Sequence, residues 1–140
     1  MFGRVTVRDF GEFRYPDVHR LIVDTYMSQH PGFATPAGRR SVAVHLVGLC
    51  LVLERGATTK AAGAALANVF PDKRDIAPLE PVPWLGELTV ASLLDAPDLM
   101  AHSARARAWA EAVWRAWAPF HDRVRAWADG AGAAATARRR

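Results

Sequence analysis

Residues 42–53 read VAVHLVGLCLVL, and His45 is the one polar side chain among them. Twelve helical residues span about 18 Å, whereas crossing a bilayer takes roughly 20 residues. A helix that is apolar on nearly all sides packs in a protein core, and Gly48 within it allows a neighbouring backbone to approach closely. We therefore predict a central apolar helix over residues 37–55, ended by Gly56 in a left-handed cap, and no membrane contact.

Helical signals also lie on both sides of the central helix. Apolar residues recur at spacings of three and four, and prolines, threonines and glycines stand where helices would begin or end. The predicted segments cover residues 16–30, 58–70, 89–96 and 97–128. Pro119 should bend or split the last segment, because proline lacks a backbone N–H and crowds the preceding turn. The sequence thus predicts an all-α protein, a single-domain bundle of four main helices and one short helix.

Length and composition favour one domain with a true hydrophobic core. The chain has 140 residues, of which 51% are apolar and 23% are charged. A domain of this size buries roughly two thirds of the surface that its unfolded chain exposes. We predict an N-terminal arm over residues 1–14, a helical bundle domain over residues 15–129 and a disordered basic tail over residues 130–140.

The charge and the cysteine content indicate which binding partners and which cellular compartment to expect. The chain carries 18 Lys and Arg against 14 Asp and Glu, and its last three residues are arginines. The other basic residues are scattered, so nucleic acid is not an expected partner. Cys50, the one cysteine, excludes a disulfide framework, and its apolar surroundings should raise the pKa of its thiol. Together with the lack of an N-terminal signal peptide, this favours a cytoplasmic protein.

Standard catalytic motifs are absent from the sequence, so the histidines are the main candidates for catalysis or metal binding. A buried imidazole such as that of His45 must be hydrogen-bonded or bind a ligand. If the helices around residues 31–36 form an antiparallel hairpin, His19 lies about 4.5 Å from His45 along the axis, and the last helix carries His121 on its apolar side. These three histidines could bind a divalent transition metal, or they could be hydrogen-bonded core groups. Asp24 lies off their stripe and is expected to bond an arginine or a loop N–H.

A second polar group stands at the end of the first helix. Tyr26, Gln29 and His30 are spaced so that all three surround one helix end. They could form the polar floor of a small-ligand pocket, with Trp114 and Trp117 as its aromatic walls. Alternatively, the three residues cap the last helical turn and the two tryptophans pack in the core.

Three stretches resemble an uncharacterised bacterial family: HRLIVDTYMSQHPG at 19–32, SVAVHLVGLCLVLERG at 41–56 and RAWAEAVWRAWAPFHDRVRAW at 107–127. The hallmarks of that family are V-D-x-Y-x-x-Q-H-P, then S-V-A-V-H-L, then W-x-x-W-x-x-x-H. Many of its members also begin with a pair of cysteines typical of a small metal knuckle, and this chain has no such pair. The family has no established activity, so the resemblance implies helices and supplies no reaction.

Two functional hypotheses from different classes follow. In the first, the protein is a small helical bundle with a histidine-lined pocket that binds a small molecule or a metal, which would activate a water molecule. In the second, it is a non-enzymatic interaction or homodimerising bundle whose histidines are structural, and its contacts come from Trp84 or from the arm. Converging imidazoles would favour the first hypothesis, and an exposed apolar patch would favour the second.

Overall fold

The computed structural model describes residues 16–67, Leu79, Val82 and residues 85–138. This part of the chain is all-α and contains no strand. Its five α-helices are α1 (Pro16–Gln29), α2 (Pro36–Leu53), α3 (Thr59–Leu66), α4 (Leu99–Ala116) and α5 (His121–Arg138). Two short 3₁₀ helices, Val90–Leu93 and Ala118–Phe120, precede and follow α4. The predicted helices over residues 16–30 and 37–55 are thereby confirmed.

Hydrogen bonds at the chain's polar residues explain where the helices begin and end. Thr35, Thr58 and Asp98 each accept a hydrogen bond from a backbone N–H in the first turn of the following helix, as N-cap residues do. After α2, Gly56 has a φ of +62°, and the Ala57 N–H donates to the carbonyl six residues earlier over 2.9 Å. This is the predicted left-handed glycine cap at the end of α2.

Helix α2 is the central element. It packs against α1, α3, α4 and α5, which explains why it is apolar on nearly all sides. Its buried residues are Val42, Ala43, Leu46, Val47, Gly48, Leu49, Cys50 and Leu51. By length and composition α2 is also the one described helix that could cross a membrane, with a mean hydropathy of 1.3. That is weak evidence, because a buried core helix meets the same criterion.

Three predicted segments differ in extent from the observed elements. The short helix predicted over residues 89–96 is a 3₁₀ helix of four residues, Val90–Leu93. Helix α3 ends at Leu66, and residues 68–70 of the predicted segment lie outside the described part. Pro119 splits the long predicted helix, as expected: α4 ends at Ala116, and α5 starts two residues after the proline.

Helix α5 continues past Gly130 to Arg138. The predicted end near residue 128 is therefore wrong, and residues 130–138 of the predicted disordered tail are helical. The segment that follows Gly130 consists mostly of alanine, which has the highest helix propensity. That propensity outweighs the break expected from one glycine. The predicted arm over residues 1–14, and Trp84, lie outside the described residues.

Candidate functional site

A buried carboxylate connects α1 with α2. Asp24 in the middle of α1 is wholly buried. His45 Nδ1 of α2 lies 2.8 Å from its Oδ1, and Arg20 Nε, one turn earlier in α1, donates to its Oδ2 over 3.0 Å. The expectation that Asp24 bonds an arginine is confirmed. The second partner of Asp24 is His45, the polar residue of the apolar helix α2.

Gly48 makes room for this carboxylate. A Cβ atom at position 48 would lie 2.4 Å from Asp24 Oδ2 and 2.8 Å from its Cγ, closer than real Cβ contacts allow. The prediction at Gly48 is a close approach by a neighbouring backbone. The group that approaches is instead the Asp24 side chain of α1. Any larger residue at position 48 would displace Asp24 from the helix interface.

The contact with Asp24 determines which nitrogen of His45 is free. A carboxylate that also binds a guanidinium acts as the acceptor, so His45 Nδ1 carries the hydrogen and donates it. The unprotonated nitrogen is then Nε2, to which none of the described residues hydrogen-bonds. About 18% of the His45 side chain is exposed. This arrangement of a buried carboxylate, an oriented imidazole and an open nitrogen is common to general bases and metal-ligating histidines.

The structure does not gather His19, His45 and His121 around one point. Among the described residues, which include all three, no group of three His, Cys, Asp or Glu side chains could hold a metal ion. His121 Nε2 donates to the Trp114 carbonyl over 2.7 Å, and its ring stacks on the indole with centroids 3.9 Å apart. His19 is half-buried on α1. The metal triad thus has no geometric support in the described part of the chain.

The residues at the end of α1 make the contacts expected of caps and ties. His30 Nδ1 donates to the Tyr26 carbonyl over 3.0 Å, and the two rings stack with centroids 4.3 Å apart. The Gln29 amide nitrogen donates to the Leu85 and Leu88 carbonyls. The amide oxygen accepts a hydrogen bond from the Trp109 indole of α4. Gln29 therefore fastens the segment before the first 3₁₀ helix to α1, which its place in a Q-H-P motif could not show.

Three tryptophans of the last predicted segment are core residues with satisfied indole N–H groups. Trp109 donates to Gln29 Oε1 over 3.1 Å, and Trp117 donates to the Ser28 carbonyl over 3.1 Å. Trp114 donates to Glu54 Oε1 over 3.2 Å. Trp109 and Trp117 are wholly buried. These contacts support the core alternative for Trp114 and Trp117 rather than an open aromatic wall.

The C-terminal end of α2 carries an ion pair with α5. Arg125 donates to Glu54 from Nε to Oε2 over 2.9 Å and from Nη2 to Oε1 over 2.7 Å. Hydrogen bonds from Arg125 lower the pKa of Glu54 from 4.5 to about 2, and burial opposes part of that change. One turn earlier, burial raises the pKa of the Cys50 thiol to about 11, and the charge of Glu54 adds to this effect. Cys50 is therefore a packing group, as predicted.

We expect Glu54→Gln to lower the free energy of unfolding by about 1–1.5 kcal/mol near neutral pH, because it weakens two charged hydrogen bonds of a partly exposed pair. The folded-state pKa of Glu54 lies below its ordinary value, so its contribution is complete above about pH 4.5 and is lost as the pH falls towards 2. Urea unfolding between pH 7 and pH 2.5 measures this difference. Glu111→Gln, which removes an exposed pair with Arg107, should cost under about 1 kcal/mol. A difference between wild type and Glu54→Gln that does not shrink with acid would contradict the assignment.

Comparison with known proteins places the chain in a family. The model of a family of unknown function, DUF5946, matches residues 1–118. The chain belongs to DUF5946. The resemblance to an uncharacterised family is thus confirmed, and the function of DUF5946 is unknown. No curated protein and no solved structure matches the chain.

The extent of the DUF5946 match separates the two polar clusters. Asp24, His45 and Gly48 all lie within the matched residues 1–118, so the complete carboxylate–histidine site belongs to the DUF5946 segment. Arg125 lies beyond residue 118, so the ion pair at the end of α2 joins the DUF5946 segment to α5. Of the first cluster only His45 is predicted as a site residue. Arg20, Asp24 and Gly48 are not, although an Arg–Asp spacing of four is a helical pairing signal.

Proposed function

We propose that this DUF5946 chain is a cytoplasmic helical bundle of four main helices and one short helix, and that it binds a small oxyanion at His45. The observation that carries the proposal is the hydrogen bond from His45 Nδ1 to the wholly buried Asp24, which leaves Nε2 open while Arg20 binds the other oxygen of the same carboxylate. In this site His45 transfers a proton to or from the ligand, and Asp24 orients the ring.

The cost of burying Asp24 supports a functional role. Taking a carboxylate out of water costs several kcal/mol, and an apolar pair of similar volume is often as stable or more stable. The chain nevertheless holds this carboxylate beside a glycine in its central helix, where a larger side chain would not fit. A buried carboxylate that orients a histidine ring recurs in catalytic and metal sites.

Arg20 supports an anionic ligand. Its Nε atom is bonded to Asp24, and about 28% of its side chain is exposed. Its two Nη groups make no ion pair or hydrogen bond with other described residues. Once His45 takes up a proton, Arg20, Asp24 and His45 carry a net positive charge. A phosphate or carboxylate group would receive Arg20 N–H donors and meet the protonated imidazole at Nε2.

The test is a titration of the full chain with inorganic phosphate and with acetate, followed by nitrogen NMR of the histidine rings and arginine side chains. We expect saturable shifts of the His45 and Arg20 signals in the wild-type protein. The Arg20 shift should be lost in His45→Gln, and the His45 shift should be lost in Arg20→Gln. Arg107→Gln, an exposed arginine paired with Glu111 on α4, is the matched control and should leave the shifts intact. The histidine spectrum of the ligand-free protein should also show hydrogen on Nδ1 of His45.

Absence of saturable shifts in the folded wild-type protein would reject the oxyanion site. Asp24 and His45 would then be a structural tie between α1 and α2. That outcome would favour the alternative function, an interaction or homodimerising bundle with structural histidines. The hydrogen bonds of His30 and His121 support this alternative, since each ring donates to a main-chain carbonyl.

A further inference from the structure

A surface groove of about 600 Å³ lies away from the histidine site, between the segment that precedes the first 3₁₀ helix and the C-terminal half of α4. Its apolar walls are formed by Leu88, Ala112, Ala116 and Pro119. This volume falls within the range of about 300–1,000 Å³ that small-molecule sites occupy. None of the residues assigned to the oxyanion site lines it.

The groove follows from small residues on α4 and from a fixed opposite wall. Ala112 and Ala116 stand one turn apart, so they share a face of α4 and leave space above it. The opposite wall is held by Gln29, which binds the carbonyls of Leu85 and Leu88. Pro119 closes one end, where α4 has stopped. The space is therefore built by ordered elements on both sides.

Two opposite charges face this apolar space without neutralising each other. Glu87 and Arg115 both line the groove and are exposed. Neither forms an ion pair or a hydrogen bond with another residue in the part of the chain that the structure describes. The complement of such a groove is an apolar molecule with one positive and one negative group.

We propose that this groove binds a small apolar zwitterion, namely a dipeptide with apolar side chains, a free amino terminus and a free carboxyl terminus. The ligand carboxylate pairs with Arg115, and its ammonium group pairs with Glu87. The side chains lie on Ala112 and Ala116, where their burial supplies most of the affinity. The proposal is independent of the oxyanion site, because the two sites share no residue.

The dipeptide Leu-Phe is the probe, and calorimetry or amide NMR on the full chain is the measurement. We expect saturable binding of Leu-Phe and weaker binding of its N-acetylated and C-amidated forms, by about two- to fivefold each, as exposed ion pairs give. Arg115→Gln should remove the preference for the free carboxylate but keep the preference for the free ammonium. Glu87→Gln should do the reverse, and Arg107→Gln should change neither.

Ala112→Leu tests the apolar walls, because it fills the groove without changing a charge. We expect it to abolish Leu-Phe binding while the helical circular dichroism stays that of wild type. Equal affinity for the three forms of the probe, or no saturable binding, would overturn the proposal. A wild-type dimer that Ala112→Leu converts to a monomer would overturn it as well, since a second copy would then occupy the groove.

Discussion

Gly48→Ala will lower the free energy of unfolding by about 2–3 kcal/mol, the cost of overpacking a tight core. The new Cβ would stand 2.4 Å from Asp24 Oδ2. The carboxylate cannot move aside without giving up its bonds to Arg20 and His45. The loss opposes the usual helix preference, which favours alanine over glycine by about 1 kcal/mol in an open helix position. Urea unfolding of the two proteins measures it.

The matched control is Gly63→Ala in α3. Gly63 is also helical, but a Cβ there would have no neighbouring atom within 4 Å. Here the helix preference acts alone, so the variant should be more stable than wild type by about 0.5–1 kcal/mol. The opposite signs of the two substitutions are the expected result. If Gly48→Ala also stabilised the protein, Asp24 would not rest against α2 as described.

Asp24→Ala should have the largest effect of any single change proposed for this protein, a loss of about 3–5 kcal/mol of unfolding free energy. Removing the carboxylate leaves the Arg20 guanidinium and the His45 Nδ1–H without their acceptor at the α1–α2 interface. The cost comes from those stranded donors more than from the lost attraction. Denaturant unfolding, with circular dichroism to show that the variant still folds, measures the change.

Asp122→Ala provides the comparison. Asp122 also binds an arginine of its own helix, Arg125, but its side chain is fully exposed, so its removal should cost under about 1 kcal/mol. A double-mutant cycle between Asp24→Ala and His45→Ala should show a coupling energy of about 0.5–3 kcal/mol. If Asp24→Ala cost no more than Asp122→Ala, the buried site would have no energetic basis.

The sequence predicts the helices because the signals that determine them, apolar spacing and residues that start or end helices, are local. The apolar run around His45 and the glycine at position 56 each act within a few residues, and both are confirmed. Helix α5 extends beyond the end that Gly130 indicates, because the alanines that follow have a high helix propensity. Local signals thus sufficed for the existence of helices and were weaker for their ends.

The candidate site was predictable only in part. The isolation of His45 in an apolar helix indicates that it needs a partner, and Asp24 is expected to bond an arginine or a loop N–H, without Arg20 being named. That His45 meets Asp24, rather than His19, depends on how α1 and α2 are rotated about their axes. No residue spacing within either helix encodes that rotation.

Contacts between distant segments were out of reach for the same reason. Gln29 meets Trp109, and Glu54 meets Arg125, although each pair is separated by more than seventy residues. A sequence shows that such polar groups must find partners, but the fold decides which partners they find.

The enclosed indoles give the protein an internal optical reporter. Trp109 and Trp117 are shielded from water, so their fluorescence will be that of tryptophan in apolar surroundings, and unfolding will shift it to longer wavelengths. Trp114 lies flat against the His121 imidazole, so its emission also depends on that contact. The light emitted by the chain can therefore follow its unfolding without an added label.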